Sequence, residues 1–213
     1  MTMNVGEIKS RVMRTFGDEA GAQVTSEDIL RWINDGQMEI AGANHLLEQK
    51  ATANIVVGQA VYASPVDVLE IWALRYNNYK LRPMSMQQAD EYITNFEDSS
   101  NYQKGASGIF WVWENQINLY PVPDASATAG LTIYYSRIPK QVTADADIPE
   151  LPVSYHPRIV EYCLKQAYEL DEDYQAASLK EQQLNLNLND MLESEKWVAR
   201  DFYPTITVRV EDV

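Results

Sequence analysis

One cysteine, Cys163, and two histidines, His45 and His156, are the only thiol or imidazole ligands in 213 residues. A single thiol excludes an intrachain disulfide and fits a reducing compartment. A zinc site needs several Cys or His ligands at short spacings, so no metal site is expected. His45 is expected to end one helix and His156 to start another. Also missing are a Gly-x-Ser-x-Gly elbow, a Walker loop and a Gly-x-Gly-x-x-Gly turn. No catalytic residue and no cofactor can therefore be assigned. Cys163 falls on the apolar stripe of a helical segment, where a thiol is buried and inert. Cations are scarce: 17 Lys and Arg stand against 31 Asp and Glu, a net charge of −14. Such a surface repels phosphate, so neither specific nucleic-acid binding nor an anionic membrane is expected. The cations are scattered along the chain, at Lys9, Arg11, Arg14, Arg75, Lys80, Arg82 and Lys104. No apolar run approaches the roughly 20 residues that span a bilayer. Residues 1–7 lack the basic and apolar regions of a signal peptide, so a cytoplasmic product is expected.

The chain does have the means to build a core. Hydrophobic residues make up 46% of it and charged residues 23%, ordinary globular values. Its length suits one domain or two small ones. Val5, Ile8, Val12, Met13 and Phe16 have helical spacing, and Gly17 is a natural stop. Thr25 and Asp28 match a capping box that opens a second helix to about Leu47. After Lys50 the pattern changes. Residues 52–62 predict two short strands around Gly58-Gln59, and residues 68–76 a third strand, with Asn77-Asn78 as a hairpin turn. Ser85 and Gln88 form a second capping box, opening a short helix to about Phe96. Residues 97–108 predict an exposed, mobile loop. Strands follow at 108–113 and 116–120 around Glu114-Asn115, and another at 130–138. Residues 139–152 are loop, with Pro149 and Pro152 excluding regular structure. Ser154 is placed to cap the next helix, whose stripe is Ile159, Val160, Cys163, Ala167 and Leu170. Asp171-Glu172-Asp173 interrupts it before a long amphipathic segment through Ala177, Leu184, Leu188 and Met191.

Helices, then strands, then helices point to an α+β fold. The expected arrangement is a helical bundle formed by N- and C-terminal helices (1–50 and 141–200), with a central β-rich insertion at 51–140 and an extended C-terminal tail at 201–213. Asp145, Asp147 and Glu150 are spaced loosely like calcium ligands, but lack the Gly turn and closing Glu of such a loop, which favours a solvated acidic loop. Phe110, Trp111 and Trp113 sit on one strand. Trp111 and Trp113 share one face, and Phe110 and Val112 the other. That strand is either buried on both faces or part of an interface, where Trp is favoured. In the tail, Ile206, Val208 and Val210 alternate with polar residues as in a strand. A lone strand needs a sheet to join, in its own insertion or in another chain.

Taken in order, several segments resemble the head-to-tail connector (neck) adaptor proteins of tailed bacteriophages. They are Gly58-Gln59-Ala60-Val61-Tyr62-Ala63-Ser64-Pro65, Leu74-Arg75-Tyr76-Asn77-Asn78-Tyr79-Lys80-Leu81-Arg82-Pro83, Asn118-Leu119-Tyr120-Pro121-Val122-Pro123-Asp124 and Leu131-Thr132-Ile133-Tyr134-Tyr135-Ser136-Arg137. The run from Thr143 to Pro152, ahead of Tyr162 and Ala167-Tyr168-Glu169, completes the series. The resemblance implies a structural, non-enzymatic virion protein, assembled in the host cytoplasm. It implies a homo-oligomeric ring, typically twelve-fold, docked beneath the portal protein, with a neck or tail protein below and a channel for DNA. It also gives the tail strand at Ile206, Val208 and Val210 a use as an anchor in the portal. The alternatives are a tail-completion or tail-tube subunit of the same virion, and a hydrolase with a carboxylate-lined cleft.

Overall fold

A computed structural model describes residues 2–44, 46–93 and 102–199. The fold is α+β. Among the described residues it has five α-helices and two four-stranded sheets. The chain divides into two compact units, Met1–Ile40 with Gln141–Val213, and Ala41–Lys140. No described helix is long and apolar enough to cross a membrane.

The helical unit opens with α1, Val5–Phe16. The Asn4 side chain accepts the Glu7 N–H at 2.8 Å, and Gly17 ends the helix in the left-handed region, at φ +92°. Glycine adopts that conformation without a side-chain clash. Three backbone N–H groups, of Ala22, Gln23 and Val24, then donate to the Asp18 carboxylate at 2.7–2.9 Å. These bonds favour the ionised carboxylate and hold its pKa below the usual carboxylate range. In α2, Ser26–Asn44, the capping box forms: Asp28 N–H donates to Thr25 Oγ1 at 3.1 Å, and Thr25 N–H to Asp28 Oδ2 at 3.3 Å.

Residues 141–152 have no regular structure but are tightly held. Asn34 on α2 accepts the Val142 N–H at 2.8 Å and donates back to the Val142 carbonyl at 3.0 Å. Gln37 accepts the Glu150 N–H at 3.1 Å. The carbonyls of Asp147 and Asp145 accept the N–H groups of Val5 and Gly6, both at 2.9 Å. Those are first-turn donors of α1 that the helix itself leaves unpaired. The loop thus finishes α1 and is pinned to α2.

A 3₁₀ turn, Val153–Tyr155, leads into α4, His156–Leu170. Ser154 lies inside that turn, and no side chain caps α4. The sequence pattern places the cap there because Ser-x-x-Pro suits a first turn; the 3₁₀ turn supplies the geometry instead. His156 is buried. Met3 N–H donates to its Nδ1 at 3.1 Å, so the proton sits on Nε2, 3.0 Å from the Leu151 carbonyl. Helix α5, Tyr174–Ala199, follows the break at Asp171-Glu172-Asp173, where Glu172 has φ +59°. Helix α4 packs against α1 and α5. Lys165 on α4 reaches Glu181 on α5 at 2.8 Å, and Asn187 on α5 donates to Glu161 on α4. Where Tyr162 faces α2, Gly36 permits the approach: a Cβ there would lie 2.8 Å from the ring.

In the β unit, β1 (Glu48–Ile55), β8 (Ala127–Arg137), β3 (Val68–Tyr76) and β4 (Tyr79–Lys80) make one antiparallel sheet in that order. The other runs β2 (Val61–Ala63), β7 (Gln116–Tyr120), β6 (Ile109–Trp113), β5 (Arg82–Pro83). Asn77-Asn78 and Glu114-Asn115 all have positive φ, as two-residue hairpin turns require. The two short strands expected around Gly58-Gln59 are present, as the end of β1 and as β2, but they do not pair with each other. Strands β1 and β2 belong to different sheets, because each finds a longer-range partner: Glu48 pairs with Ser136, and Val61 with Asn118. Gly58 N–H instead donates to the Pro123 carbonyl at 2.8 Å. Helix α3, Met86–Tyr92, opens with the capping box of Ser85 and Gln88. It ends short of the Phe96 expected from sequence, and residues 94–101 lie outside the described ones. Of the loop expected to be exposed at 97–108, residues 97–101 lie outside the described ones; Gln103, Lys104, Ala106 and Gly108 are exposed, while Tyr102 and Ser107 are buried.

Candidate interaction surfaces

Strand β6 carries the aromatic run, and the fold treats its two ends differently. Phe110 points between the sheets and is 5% exposed, packed with Leu119, Ile117 and Tyr62. Trp111 points the other way and is 3% exposed, beneath α3 and beside Tyr102, Ile93 and Val122. Tyr102 extends the cluster through tilted and edge-on contacts, with its ring 6.4 Å from Trp111 and 5.6 Å from Tyr120. Beyond α3's reach the strand is open: Val112 is 43% and Trp113 51% exposed. Both faces are therefore buried at Phe110 and Trp111, while the last two residues present apolar surface to solvent.

A groove of about 400 Å³ lies where the sheets separate, lined by Val68, Leu69 and Ile71 of β3 and by Met84, Phe110 and Val112. Ser64 Oγ at its wall is buried, with no hydrogen-bond partner among the described residues. The sequence pattern did not reveal this groove, because its walls come from strands in different sheets. Nor did it reveal a cluster on the outer face of the first sheet. Lys50 Nζ and Arg75 Cζ each sit 5.9 Å from the centre of the Tyr134 ring, within cation–π range. Cations apart in sequence are thus brought together by strand register: Lys50 pairs opposite Tyr134 on β8, and Arg75 opposite Thr132.

The residues weighed for chemistry occupy structural positions. Cys163 is fully buried, and burial raises its thiol's pKa far above the usual range. A protonated, enclosed thiol is a poor nucleophile. The Asp147 carboxylate accepts the N–H groups of Thr143 and Ala144 at 2.8 and 2.9 Å, and Lys9 pairs with Asp145 at 2.7 Å. Among the described residues no group of three or more His, Cys, Asp or Glu is placed to hold a metal. His45 and the tail residues Ile206, Val208 and Val210 lie outside the described residues.

The surface features are thus an apolar strand end, an apolar groove and a small cationic patch on an acidic protein. They suit contacts with other proteins. None of the curated proteins matches the sequence. The model of the SU10 adaptor protein family does, over residues 3–209, and the chain belongs to that family: it is a phage structural adaptor and a component of the virion.

Proposed function

We propose that the protein forms a ring beneath the portal in the virion neck, bridging head to tail around a channel for DNA. The observation that carries this reading is the family match across residues 3–209. The helices at the two ends of the chain act as the ring-building bundle, in roughly twelve copies. The β unit turns its open strand end, Val112 and Trp113, toward a neck or tail protein. The charge of −14 suits a DNA conduit, because an acidic bore does not hold phosphate during packaging or ejection. No catalytic step is assigned. The tail residues Ile206, Val208 and Val210 add as a strand to the portal. Each backbone hydrogen bond made there contributes only about 0.5–1.5 kcal/mol net, so the three apolar side chains must also find pockets.

Co-purification with the portal tests both halves of the reading. The full chain should come down with portal, and a chain lacking 204–213 should fold but not attach. If the truncated chain attaches equally well, the tail is not the anchor. If the full chain does not attach at all, the place beneath the portal is wrong.

A further inference from the structure

We infer that the outer face of α5, centred on Leu179 and Leu186, is a contact surface for a second copy of this chain; this rests on the reading that several copies assemble together. Helix α5 buries Ala177, Leu184 and Leu188, a stripe at spacings of seven and four that packs toward α4. Leu179 and Leu186 each follow a member of that stripe by two residues. At about 100° per residue they lie on the opposite side of the helix. They are 61% and 66% exposed. The helix is therefore apolar along two opposed lines, and among the described residues only one of them has a partner.

The residues around the outer line identify the occupant. Gln175, Ser178, Gln182, Gln183 and Asn189 are all exposed there and uncharged. Between residues 174 and 189 the only charged side chains are Lys180 and Glu181. Glu181 is turned toward α4 by its 2.8 Å pair with Lys165, and Lys180 donates to Gln183 at 3.3 Å. From Tyr174 to Asn189 the helix thus carries no net charge on a protein carrying −14, and exposed Asp190, one turn beyond Leu186, marks the end of this neutral stretch. Two copies repel each other across most of their surfaces. They approach at least cost where each is neutral, and exposed leucines framed by amides and a hydroxyl give that contact an apolar centre with a polar rim. A strongly basic or strongly acidic face on a partner would gain nothing here, whereas the same uncharged face of another copy meets no repulsion. A second copy gains the most.

The test is a photo-crosslinking amino acid placed in full-length protein at Leu179 or Leu186, or at the fully exposed Val66 as control. The protein is irradiated both in concentrated purified form and in assembled virions. Covalent pairs of this chain should arise from positions 179 and 186 and not from 66. Adding Leu179→Glu to the probe at 186 should lower the yield about tenfold, because each contact then buries a carboxylate. The melting temperature should not change, since Leu179 lies outside the core. The inference is overturned if position 186 reaches only other virion proteins, or nothing, in both preparations, or if Leu179→Glu leaves the yield unchanged. Virions that lack the chain, alongside crosslinked copies in the purified sample, would sink the neck reading and leave the self-contact standing.

Discussion

The helical unit and the β unit bury different kinds of side chain. Most of the helical unit's core is aliphatic and local in origin. Val5, Ile8 and Val12 come from one helix, Ile29, Ile33 and Ile40 from the next. The main core of the β unit mixes aliphatic residues with Tyr62, Tyr76, Phe110 and Tyr135, gathered from several strands. Tyrosine can be buried there because its hydroxyl finds a partner. The Tyr135 hydroxyl donates to Asp67 Oδ1 at 3.0 Å, and the Tyr62 hydroxyl accepts the Val56 N–H at 3.2 Å. The difference teaches where each unit is vulnerable. A helical stripe fails when polarity is put into it. An aromatic core assembled from distant strands fails when volume is removed.

Trp111→Ala should have the largest effect. It empties a site enclosed by α3, Tyr102 and Val122, and truncating a buried aromatic costs about 3–5 kcal/mol. Urea denaturation measures it. A loss under about 1 kcal/mol would show that the second aromatic cluster collapses onto the space, against the comparison drawn above. Leu188→Asp probes the other unit. Leu188 belongs to the stripe of α5 that packs toward α4, and an unpaired carboxylate there should cost about 3 kcal/mol or more. An unchanged melting temperature would mean that α5 does not rely on this stripe.

How much of each unit was legible in the sequence follows from the same contrast. The capping boxes of Thr25 with Asp28 and Ser85 with Gln88, the stop at Gly17 and the Asn77-Asn78 turn all involve residues within a few positions of one another. Their chemistry is complete in a short window. Strand partners are not, which is why the two strands around Gly58-Gln59 were legible but their membership of separate sheets was not. The straps from Asn34 and Gln37 to the 141–152 loop were hidden too, since a polar residue on a helix usually faces water. At the interaction surfaces, the aromatic run was visible but its division was not. What covers Trp111, namely α3, Tyr102 and Val122, comes from elsewhere in the chain.

Glycine substitutions make the comparison at matched chemistry. A Cβ on Gly36 would meet the Tyr162 ring at 2.8 Å; on Gly130 it would meet Ile55 Cδ1 at 2.5 Å, Asn77 Oδ1 at 2.7 Å and Ala127 Cβ at 2.9 Å. Overpacking of this kind costs about 1–3 kcal/mol. Gly130→Ala should be the worse of the two. Three neighbours must yield at once in a paired strand, whereas Gly36→Ala recovers up to about 1 kcal/mol of helix propensity. Thermal melting of the two variants gives the order, and the reverse order would mean that the β unit adjusts more easily than the helical one.

The smallest effect on stability is expected at Trp113, two residues from the position with the largest. Its side chain is half-exposed at the end of β6, opposite Gln116. Removing an exposed side chain away from caps and networks changes stability by about 0.5 kcal/mol or less. Trp113→Ala should therefore melt with the wild type while Trp111→Ala does not. If Trp113 docks on a neck or tail protein, the same substitution should weaken that attachment by about 2 kcal/mol, roughly thirtyfold, as loss of a buried aromatic anchor does. The pair of measurements separates the two roles that one strand holds. A large loss of stability at Trp113 would place it with the core. An unchanged melting temperature with undiminished incorporation into virions would leave Trp113 without a role at the neck, and the search for the tail-side contact would move to the groove beside Val112.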